Sequence, residues 1–281
     1  MTLNCRGRLI DLSTPRIMGI LNSTPDSFYA GSRVPGIDQA LARAEAMLRD
    51  GADFLDLGGY STRPGADQVA EDEELRRVVP LVEALVRAFP EALISIDTFR
   101  SQVARQALGA GAAMVNDISA GLHDPGMLPL IAEKRVPYVM MHMRGTPADM
   151  AQQTDYDDLI GELLYFFSER LAAARALGIA DLIADPGFGF AKTREQNFEL
   201  LAGLEAFREL GVPLLVGISR KSMIWKTLGV EPAQALNGTT ALHMLALRGG
   251  AGILRVHDVQ EASECVRLWK AIPPLPRSGF C

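Results

Sequence analysis

Eight short apolar runs are spaced along the chain, and each ends in polar residues ahead of a stretch with helical periodicity. Such near-continuous apolar runs are typical of parallel strands that are buried on both faces of a sheet. The runs and their polar ends are 17–21 with Asn22, 54–55 with Asp56, 93–96 with Asp97, 113–115 with Asn116, 138–141 with His142, 182–184 with Asp185, 214–218 with Ser219, and 253–254 with Arg255 and His257. Serial βα units predict an α/β fold, a single (β/α)8 TIM barrel with its chemistry at the strand ends.

The segments between these runs predict the outer helices and one small addition. Apolar residues recur at helical spacing from Ile37 to Leu48, and Gly51 supplies a stop. The other predicted helices cover 71–88, 101–108, 125–133, 157–177, 195–210, 233–247 and 259–270. Thr193 and Gln196 have the spacing of a capping box, and Leu3 to Leu12 predicts a short hairpin before the barrel. We expect residues 1–281 to form one domain.

Charge and composition exclude several classes of protein. The 281 residues carry a net charge of −6, which argues against a nucleic-acid surface because such surfaces need an excess of basic residues. We expect neither a leader nor a membrane-spanning segment, because no apolar stretch has the required length or flanks. Cys5, Cys265 and Cys281 lie far apart without a metal-ligand spacing. A cytoplasmic protein is therefore expected.

Two loops that follow predicted strands are unusually long. Residues 22–36 and 58–67 are rich in Gly, Pro, Ser and Thr, and both exceed the usual length of a βα connection. Long loops at the active end of a barrel often act as lids. We therefore expect both to be mobile lids.

Basic residues follow the last two predicted strands. Ser219 to Ser222 reads Ser-Arg-Lys-Ser, and Arg255 stands two residues before His257, so both side chains are expected on the same side of a strand. Barrels often hold phosphate between these two strand ends, and a helix that begins near Ser222 would add backbone donors. This pattern predicts an anion site. The alternative is that these charges form ion pairs with the acidic residues of the rim.

Acidic and amide side chains follow other predicted strands. Asp56, Asp97, Asn116 and Asp185 supply mostly hydrogen-bond acceptors, which suit a ligand rich in N–H donors such as a 2-amino-4-oxo heterocycle. Any one of them alone is also typical of a loop cap. The four histidines lack the spacing of a zinc site, whereas Asn22 could serve as one oxygen ligand of Mg²⁺ beside phosphate oxygens and water.

Motifs in consecutive order resemble those of the bacterial dihydropteroate synthases from Leu9 onward. They are Met18-Gly19-Ile20-Leu21-Asn22, Thr24-Pro25-Asp26-Ser27-Phe28, Gly58-Gly59, Ser61-Thr62-Arg63-Pro64-Gly65, Ser95-Ile96-Asp97-Thr98, Asn116-Asp117-Ile118, Met141-His142-Met143, Asp185-Pro186-Gly187-Phe188-Gly189-Phe190, Gly217-Ile218-Ser219-Arg220-Lys221-Ser222 and Arg255-Val256-His257-Asp258. The resemblance implies a folate-biosynthesis transferase. Such an enzyme joins 6-hydroxymethyl-7,8-dihydropterin diphosphate to p-aminobenzoate and releases diphosphate.

The resemblance also implies roles for individual residues. It assigns the pterin to Asp97, Asn116, Met140, Asp185 and Lys221, and the diphosphate to Arg255, His257 and, through Mg²⁺, Asn22. It assigns p-aminobenzoate to Phe28, Thr62, Arg63, Pro64, Phe190, Ser219 and Ser222. The catalytic set expected from it is Asn22, Arg63, Lys221, Arg255 and His257. It further implies a homodimer that sulfonamides inhibit by imitating p-aminobenzoate.

Two positions depart from the motifs of that family. Tyr29-Ala30 stands where Ser-Asp is usual, and Tyr60 stands where Glu is usual. The altered first loop leaves open a second interpretation, a pterin-binding paralogue without synthase activity. A folate-dependent methyl carrier or methyltransferase would keep the pterin acids, but it would not need the basic groups at residues 219–222 and 255–257.

Overall fold

A computed structural model describes residues 1–22, 33–59 and 69–273, with side-chain placement left undescribed for Asn22 and residues 33–35. Its strands are β1 Thr2–Cys5, β2 Arg8–Asp11, β3 Arg16–Asn22, β4 Phe54–Gly58, β5 Leu93–Asp97, β6 Met114–Asp117, β7 Tyr138–Met141, β8 Leu182–Asp185, β9 Leu214–Val216 and β10 Ala251–Val256. Strands β3 to β10 close into a parallel barrel in sequence order, with β10 paired to β3. The predicted TIM barrel is confirmed.

Helices follow the barrel strands, as the apolar periodicity predicts. They are α1 Arg33–Arg49, α2 Glu71–Ala88, α3 Ser101–Ala110, α4 Met127–Lys134, α5 Leu159–Ala176, α6 Arg194–Ala202, α7 Ser222–Leu228, α8 Leu236–Gly249 and α9 Val259–Ala271. The capping box before α6 is present, because the Thr193 side chain accepts from the backbone N–H of Gln196 and the Gln196 side chain accepts from that of Thr193.

Two predicted helices are shorter than the sequence pattern suggests. The expected helix over 195–210 ends at Ala202, and after Gly203 the chain continues as a 3₁₀ helix, Leu204–Leu210. Glycine is a poor residue for a helix interior, which explains the break. The expected helix over 233–247 is likewise divided into a 3₁₀ turn, Pro232–Gln234, and α8.

The predicted hairpin lies at the amino-terminal end of the barrel. Strands β1 and β2 pair antiparallel from Thr2 opposite Asp11 to Cys5 opposite Arg8. Leu3 and Cys5 pack with the first inward-facing residues of the strands, including Met18 and Phe54. The hairpin therefore adds apolar side chains to this end of the barrel core, and the polar chemistry lies at the other end.

Alternation along each strand separates the interior of the barrel from the helix-facing layer. Phe54 belongs to the apolar cluster inside the barrel, whereas its neighbours Leu55 and Leu57 pack against the helices. Side chains two residues apart share a face, so Asp56 points inward above Phe54. The same parity places Asp97, Asn116, Asp185 and Arg255 on the inner face of their strands.

The two predicted lids fall mainly on residues 23–32 and 60–68, which lie outside the described part of the chain. Within the described part, none of the helices has the length and apolar character needed to span a membrane.

Candidate active site at the carboxyl end of the barrel

Arg255, on β10, bonds to two strand-end carboxylates, on β4 and β5. Its Nε donates to Oδ2 of Asp56 at 2.6 Å, and its Nη2 donates to Oδ2 of Asp97 at 2.7 Å. Asn116 donates from Nδ2 to the same oxygen of Asp56 at 3.0 Å. We call Arg255, Asp56, Asp97 and Asn116 the arginine cluster. Its four side chains come from four different strands, so the closure of the barrel brings them together.

The charges of the arginine cluster stabilise one another. Burial alone would lower the pKa of Arg255, but Asp56 and Asp97 outweigh burial and raise it. Burial raises the pKa of Asp97, Arg255 opposes that rise, and Asp56 adds to it. The guanidinium therefore stays charged and holds two carboxylates that would otherwise repel each other.

Two acceptors beneath this cluster have no hydrogen-bond partner among the described residues. They are Oδ1 of Asp56 and Oγ of Ser95, both fully buried. The two residues are direct partners in the register between β4 and β5 and share the inner face of the barrel. Buried polar atoms are normally satisfied by protein, water or ligand, so the floor of the site is suited to hold donor groups.

Lys221 lies over the loop that joins β8 to α6. Its Nζ donates to the backbone carbonyl of Phe188 and stands 4.7 Å from the ring centroid of Phe190. Asp185, the last residue of β8, accepts from the backbone N–H of Gly187 at 2.8 Å. We call Lys221, Asp185, Phe188, Phe190 and Lys192 the lysine cluster. Across the described ranges, neither lysine comes within ion-pair distance of Asp185.

Burial disfavours the charged forms of Lys221 and Asp185, whereas Arg255 stays charged. Burial lowers the pKa of Lys221 to about 8, with Asp185 opposing the effect and Arg255 adding to it. Burial raises the pKa of Asp185, against the lowering effects of Lys221 and of the Gly187 N–H. Arg255 influences both groups, so the two clusters share one electrostatic site.

Glycines allow the β8–α6 loop to approach its neighbours closely. Gly187 has a φ of +72°, and a Cβ there would stand 2.0 Å from the carbonyl oxygen of His142. Gly189 has a φ of +77°, and a Cβ there would stand 3.0 Å from Cδ of Lys221. Any side chain at either position would displace the loop.

The predicted anion site is partly occupied by the protein's own charges. The alternative prediction, that the basic residues form ion pairs with the acidic rim, holds for Arg255, which pairs with Asp56 and Asp97. Arg220 makes two hydrogen bonds to Asp258, at 2.8 and 2.9 Å, and others to the backbone carbonyls of Pro232 and Ala233. Its charge is therefore used to attach the loop after β9 to Asp258 rather than to form an anion site.

His257 lies one residue beyond the end of β10 and contacts Ser219. Its backbone N–H donates to Oγ of Ser219 at 3.1 Å, and its Nδ1 stands 3.1 Å from the same oxygen. Ser219 is buried, whereas Ser222 is exposed at the first turn of α7. Strand β10 ends at Val256, so His257 lies just beyond the strand, and the side chains of Arg255 and His257 contact different groups.

Met140 does not face the mouth of the barrel, which corrects one prediction. It is fully buried in the helix-facing core, on the outer face of β7. Its neighbour Met141 lies on the inner face and packs with Ile118 and Met143 at the mouth. The period of two along a strand decides this assignment, and Met141 is the methionine placed to contact a ligand there.

The structure brings together most of the predicted site residues that it describes. Asp97, Asn116, Asp185, Lys221 and Arg255 share the carboxyl end of the barrel, and their charges influence one another. Asn22 ends β3 opposite Gly58, which pairs in turn with Asp97, so its backbone also stands at this end. The predicted residues Phe28, Thr62, Arg63 and Pro64, and the departures at Tyr29, Ala30 and Tyr60, lie outside the described residues.

Lys192 is the residue of this site that sequence reasoning missed. It is buried, and its Nζ is 3.1 Å from Nδ1 of His142 and from the backbone oxygens of Gly187 and Phe190. In the sequence it is a single lysine two residues after Phe190. Lysines in loops are usually exposed, so the residue type did not suggest a buried position. The preceding Gly-Phe-Gly-Phe run is the one sequence signal of a compact loop that could enclose Lys192.

Comparisons with known proteins agree on one family. Residues 18–257 match the family model described as pterin binding enzyme. A dihydropteroate synthase of Escherichia coli strain K12 is 45% identical over 273 residues, which cover 96% of both chains.

Two solved structures are similar over nearly the whole chain. A dihydropteroate synthase of Yersinia pestis, in complex with a sulfonamide drug, has a TM-score of 0.90 at 45% identity, covering 96% of this chain and 98% of that one. A dihydropteroate synthase of Xanthomonas albilineans, in complex with 7,8-dihydropteroate, has a TM-score of 0.87 at 42% identity, covering 98% of this chain and 100% of that one.

Proposed function

Because the chain belongs to the family of pterin-binding enzymes, we propose that it condenses 6-hydroxymethyl-7,8-dihydropterin diphosphate with p-aminobenzoate. The products are 7,8-dihydropteroate and diphosphate, and the former is the ligand of the similar Xanthomonas albilineans structure. One observation carries the proposal beyond family membership. The acceptors Asp97, Asn116 and Asp185 converge with the cations Lys221 and Arg255 at one end of the barrel.

The acceptors of the site suit the donor edge of a pterin ring. Ionised Asp185 can accept from both the ring N–H and the exocyclic amine, which gives two charge-assisted hydrogen bonds. Asn116 and Asp97 offer further polar groups on neighbouring strands. Lys221 can donate to the ring oxygen, and Met141 lies on the inner face to pack against the ring.

Arg255 and His257 are proposed to receive the diphosphate. Arg255 already shares its donors between Asp56 and Asp97, so it can bind an anion while it keeps a carboxylate partner. An Arg255→Ala variant should weaken binding of the diphosphate substrate far more than binding of free 6-hydroxymethylpterin, measured by calorimetry. Equal losses for the two ligands would contradict this role.

Mg²⁺ is proposed as the cofactor that helps to neutralise the departing diphosphate. Among the residues that the structure describes, no three His, Cys, Asp or Glu side chains come together as a metal site. Mg²⁺ does not need one, because it commonly takes one or two protein ligands beside substrate phosphates and water. Asn22 is the proposed ligand, supported by the position of its backbone in register with Gly58 at the barrel mouth.

Stabilising the leaving group is the main chemical task of the protein in this proposal. Cleavage at the pterin methylene leaves positive charge that the ring nitrogens delocalise, and preorganised cations favour the departing diphosphate. The amine of p-aminobenzoate is unprotonated at neutral pH, so its attack does not require a strong general base. This chemistry is compatible with Ala30 in place of a carboxylate.

The proposed p-aminobenzoate site lies beside Lys221. Of the residues assigned to it by resemblance, Phe190, Ser219 and Ser222 are described, and all three flank Lys221 in the chain or in space. Sulfonamides are proposed to bind there as well, supported by the sulfonamide complex of the Yersinia pestis enzyme. Phe28, Thr62, Arg63 and Pro64 complete the proposed set.

A homodimer and a cytoplasmic location complete the proposal. Exposed Leu228, Leu245 and Leu268, on the consecutive helices α7, α8 and α9, support a self-association surface, which analytical ultracentrifugation would test. Free, buried thiols at Cys5 and Cys265 are usual for a reducing compartment.

Incubation of the purified protein with both substrates and Mg²⁺ tests the proposed reaction. We expect 7,8-dihydropteroate to accumulate, and p-aminobenzoate to be required for its formation. Pterin binding without any product would instead support a paralogue that lacks synthase activity.

A further inference from the structure

Lys192 is a buried lysine with no part in the proposed condensation steps. The residue is only 8% exposed in the loop between β8 and α6. An ammonium group has three N–H donors, and the three acceptors around Nζ are Nδ1 of His142 and the backbone oxygens of Gly187 and Phe190, each at 3.1 Å. Every donor of a protonated Lys192 therefore has an acceptor, and burial lowers the pKa of this group to about 7, with Asp185 opposing the effect.

His142 forms the fixed side of this arrangement. It directly follows β7, and its backbone N–H donates to the carbonyl oxygen of Asp185 at 2.9 Å. Its ring packs edge-on against Phe166, with centroids 4.8 Å apart. Burial, with Lys192 as the next cause, lowers the pKa of His142 to about 2, so the ring is neutral and Nδ1 can accept from the lysine.

Gly187 and Phe190 form the adjustable side. Their carbonyls stand on either side of residues 188 and 189, and the backbone carbonyl of Phe188 accepts from Nζ of Lys221. The Phe190 ring stands 4.7 Å from the same nitrogen. The part of the loop that contacts Lys221 is thus held at both ends by one ammonium group. Asn197 supports the middle, because its Oδ1 accepts from the N–H of Gly189 at 2.6 Å.

We propose that Lys192 is a positioning residue for the condensation, holding loop 187–190 in the shape that places Lys221 and sets the Phe190 ring beside p-aminobenzoate. The inference rests on the proposed function and extends it to a residue that touches neither substrate. A methionine at this position would fill a similar volume, but Nδ1 of His142 and the backbone oxygen of Phe190 would lose the lysine donor, and the backbone oxygen of Gly187 would keep only the N–H of Phe190. The loop would then be free to move away from Lys221.

A Lys192→Met variant, assayed at steady state with each substrate varied in turn, tests the proposal. We expect KM for p-aminobenzoate to rise at least tenfold, because Phe190 belongs to the released loop. KM for the pterin diphosphate should rise by a smaller factor, because Asp185, Asn116 and Asp97 stay on strands and only Lys221 loses its contact with the loop. Both KM values within twofold of wild type would overturn the proposal, even if kcat falls because fewer molecules fold.

Tyr138→Phe is the matched control for lost stability. Tyr138 is fully buried on the helix-facing side of β7, and its hydroxyl donates to Asp117 at 2.6 Å. Removing that bond should lower the melting temperature without altering either KM. A rise in its KM for p-aminobenzoate equal to that of Lys192→Met would show that general destabilisation causes the effect, and this would overturn the proposal.

Lys192→Gln provides a second variant if Lys192→Met fails to fold. Its amide retains two donors, so we expect KM for p-aminobenzoate to rise at least threefold, and a value within twofold of wild type would overturn the proposal. Calorimetric titration of p-aminobenzoate in the presence of 6-hydroxymethylpterin and diphosphate separates this question from turnover. Tenfold weaker binding to Lys192→Met supports the role of Lys192 and equal binding rejects it, whereas absence of product from wild type rejects only the proposed reaction.

Discussion

The arginine and lysine clusters differ in the groups that bind their cations. In the arginine cluster, every polar side chain lies on a strand, and the cation is bonded directly to two carboxylates at 2.6 and 2.7 Å. In the lysine cluster, both cations donate to backbone carbonyls of one loop, and Asp185 accepts from a backbone N–H. The first cluster is therefore fixed by the barrel, whereas the second is fixed by a loop.

This difference has an electrostatic consequence. The pKa of Arg255 is raised by Asp56 and Asp97 in spite of burial, whereas burial prevails for Lys221 and lowers its pKa to about 8. A permanently charged group suits an anion that must be stabilised as it leaves. A cation held by a loop can adjust its position to two different substrates, so we associate the lysine cluster with substrate recognition.

Arg255→Met should produce the largest effect, on stability as well as on turnover. Removing one partner from a buried ion pair costs about 3–5 kcal/mol, because the remaining charges stay buried without compensation. We therefore expect the free energy of unfolding to fall by at least about 3 kcal/mol near neutral pH, and dihydropteroate formation to be lost. Urea unfolding of the variant beside Arg255→Lys, which keeps the charge, measures this difference.

The same variant should recover stability in acid. Without Arg255, burial still raises the pKa of Asp97 above its unfolded value. The folded variant then binds more protons than the unfolded chain, so its stability rises as the pH falls toward about 5. An equal loss of stability at about pH 7 and about pH 5 would show that the carboxylates are not the source of the cost.

Asp185→Asn should weaken pterin binding with little effect on folding. Losing a charge-assisted acceptor costs about 1.5–3 kcal/mol in binding, while the amide oxygen can still accept from Gly187. Asp97→Asn is the contrasting variant, because it removes a carboxylate bonded to Arg255 and should lower stability as well. Calorimetry with 6-hydroxymethylpterin and thermal unfolding separate the two effects. An unchanged dissociation constant in Asp185→Asn would remove this residue from the pterin site.

Sequence patterns predicted the arginine cluster better than the lysine cluster. Parallel strands end at one rim, so Asp97, Asn116, Asp185 and Arg255 could be placed together from the apolar runs alone. The alternation of inner and outer positions from Val139 onward also assigns Met141 rather than Met140 to the interior. The pairing of Arg255 with Asp56 could not be predicted in this way, because β3 lies between β10 and β4.

Loop geometry set the limit of what the sequence could predict. No periodicity governs residues 186–192, so nothing in the sequence indicated that Lys192 turns inward to His142. The orientation of Arg220 likewise depends on its φ of +54° and on Asp258, which lies 38 positions away in the chain. Such contacts arise from tertiary packing and leave little trace in local composition.

The pH dependence of turnover should distinguish Lys221 from Lys192. Lys221 has a folded pKa of about 8, so it donates as an ammonium below that pH and loses its charge as the pH rises through it. We expect kcat/KM for the pterin diphosphate to fall above about pH 8, by up to about tenfold per pH unit, since this parameter reports the free enzyme. Burial lowers the pKa of Lys192 to about 7, so a loss that comes from Lys192 should begin at lower pH. Lys221→Arg should remove the fall above about pH 8, whereas Lys192→Met should retain it. A fall that persists in Lys221→Arg would assign the titration to another group.

Ser219→Ala should give the smallest effect, because the contacts of its hydroxyl are with His257 rather than with the arginine cluster. The hydroxyl accepts from the backbone N–H of His257 at 3.1 Å, but His257 is only half-buried, so water can replace the lost acceptor. We expect a loss of stability of about 1 kcal/mol or less, together with weaker diphosphate binding by a smaller factor than in Arg255→Ala. Ser222→Ala, at an exposed position in the same segment, is the control and should leave thermal unfolding unchanged. A loss of unfolding free energy in Ser219→Ala as large as that in Arg255→Met would contradict this expectation. It would mean that the Ser219 hydroxyl fixes His257 as firmly as the two carboxylates fix Arg255.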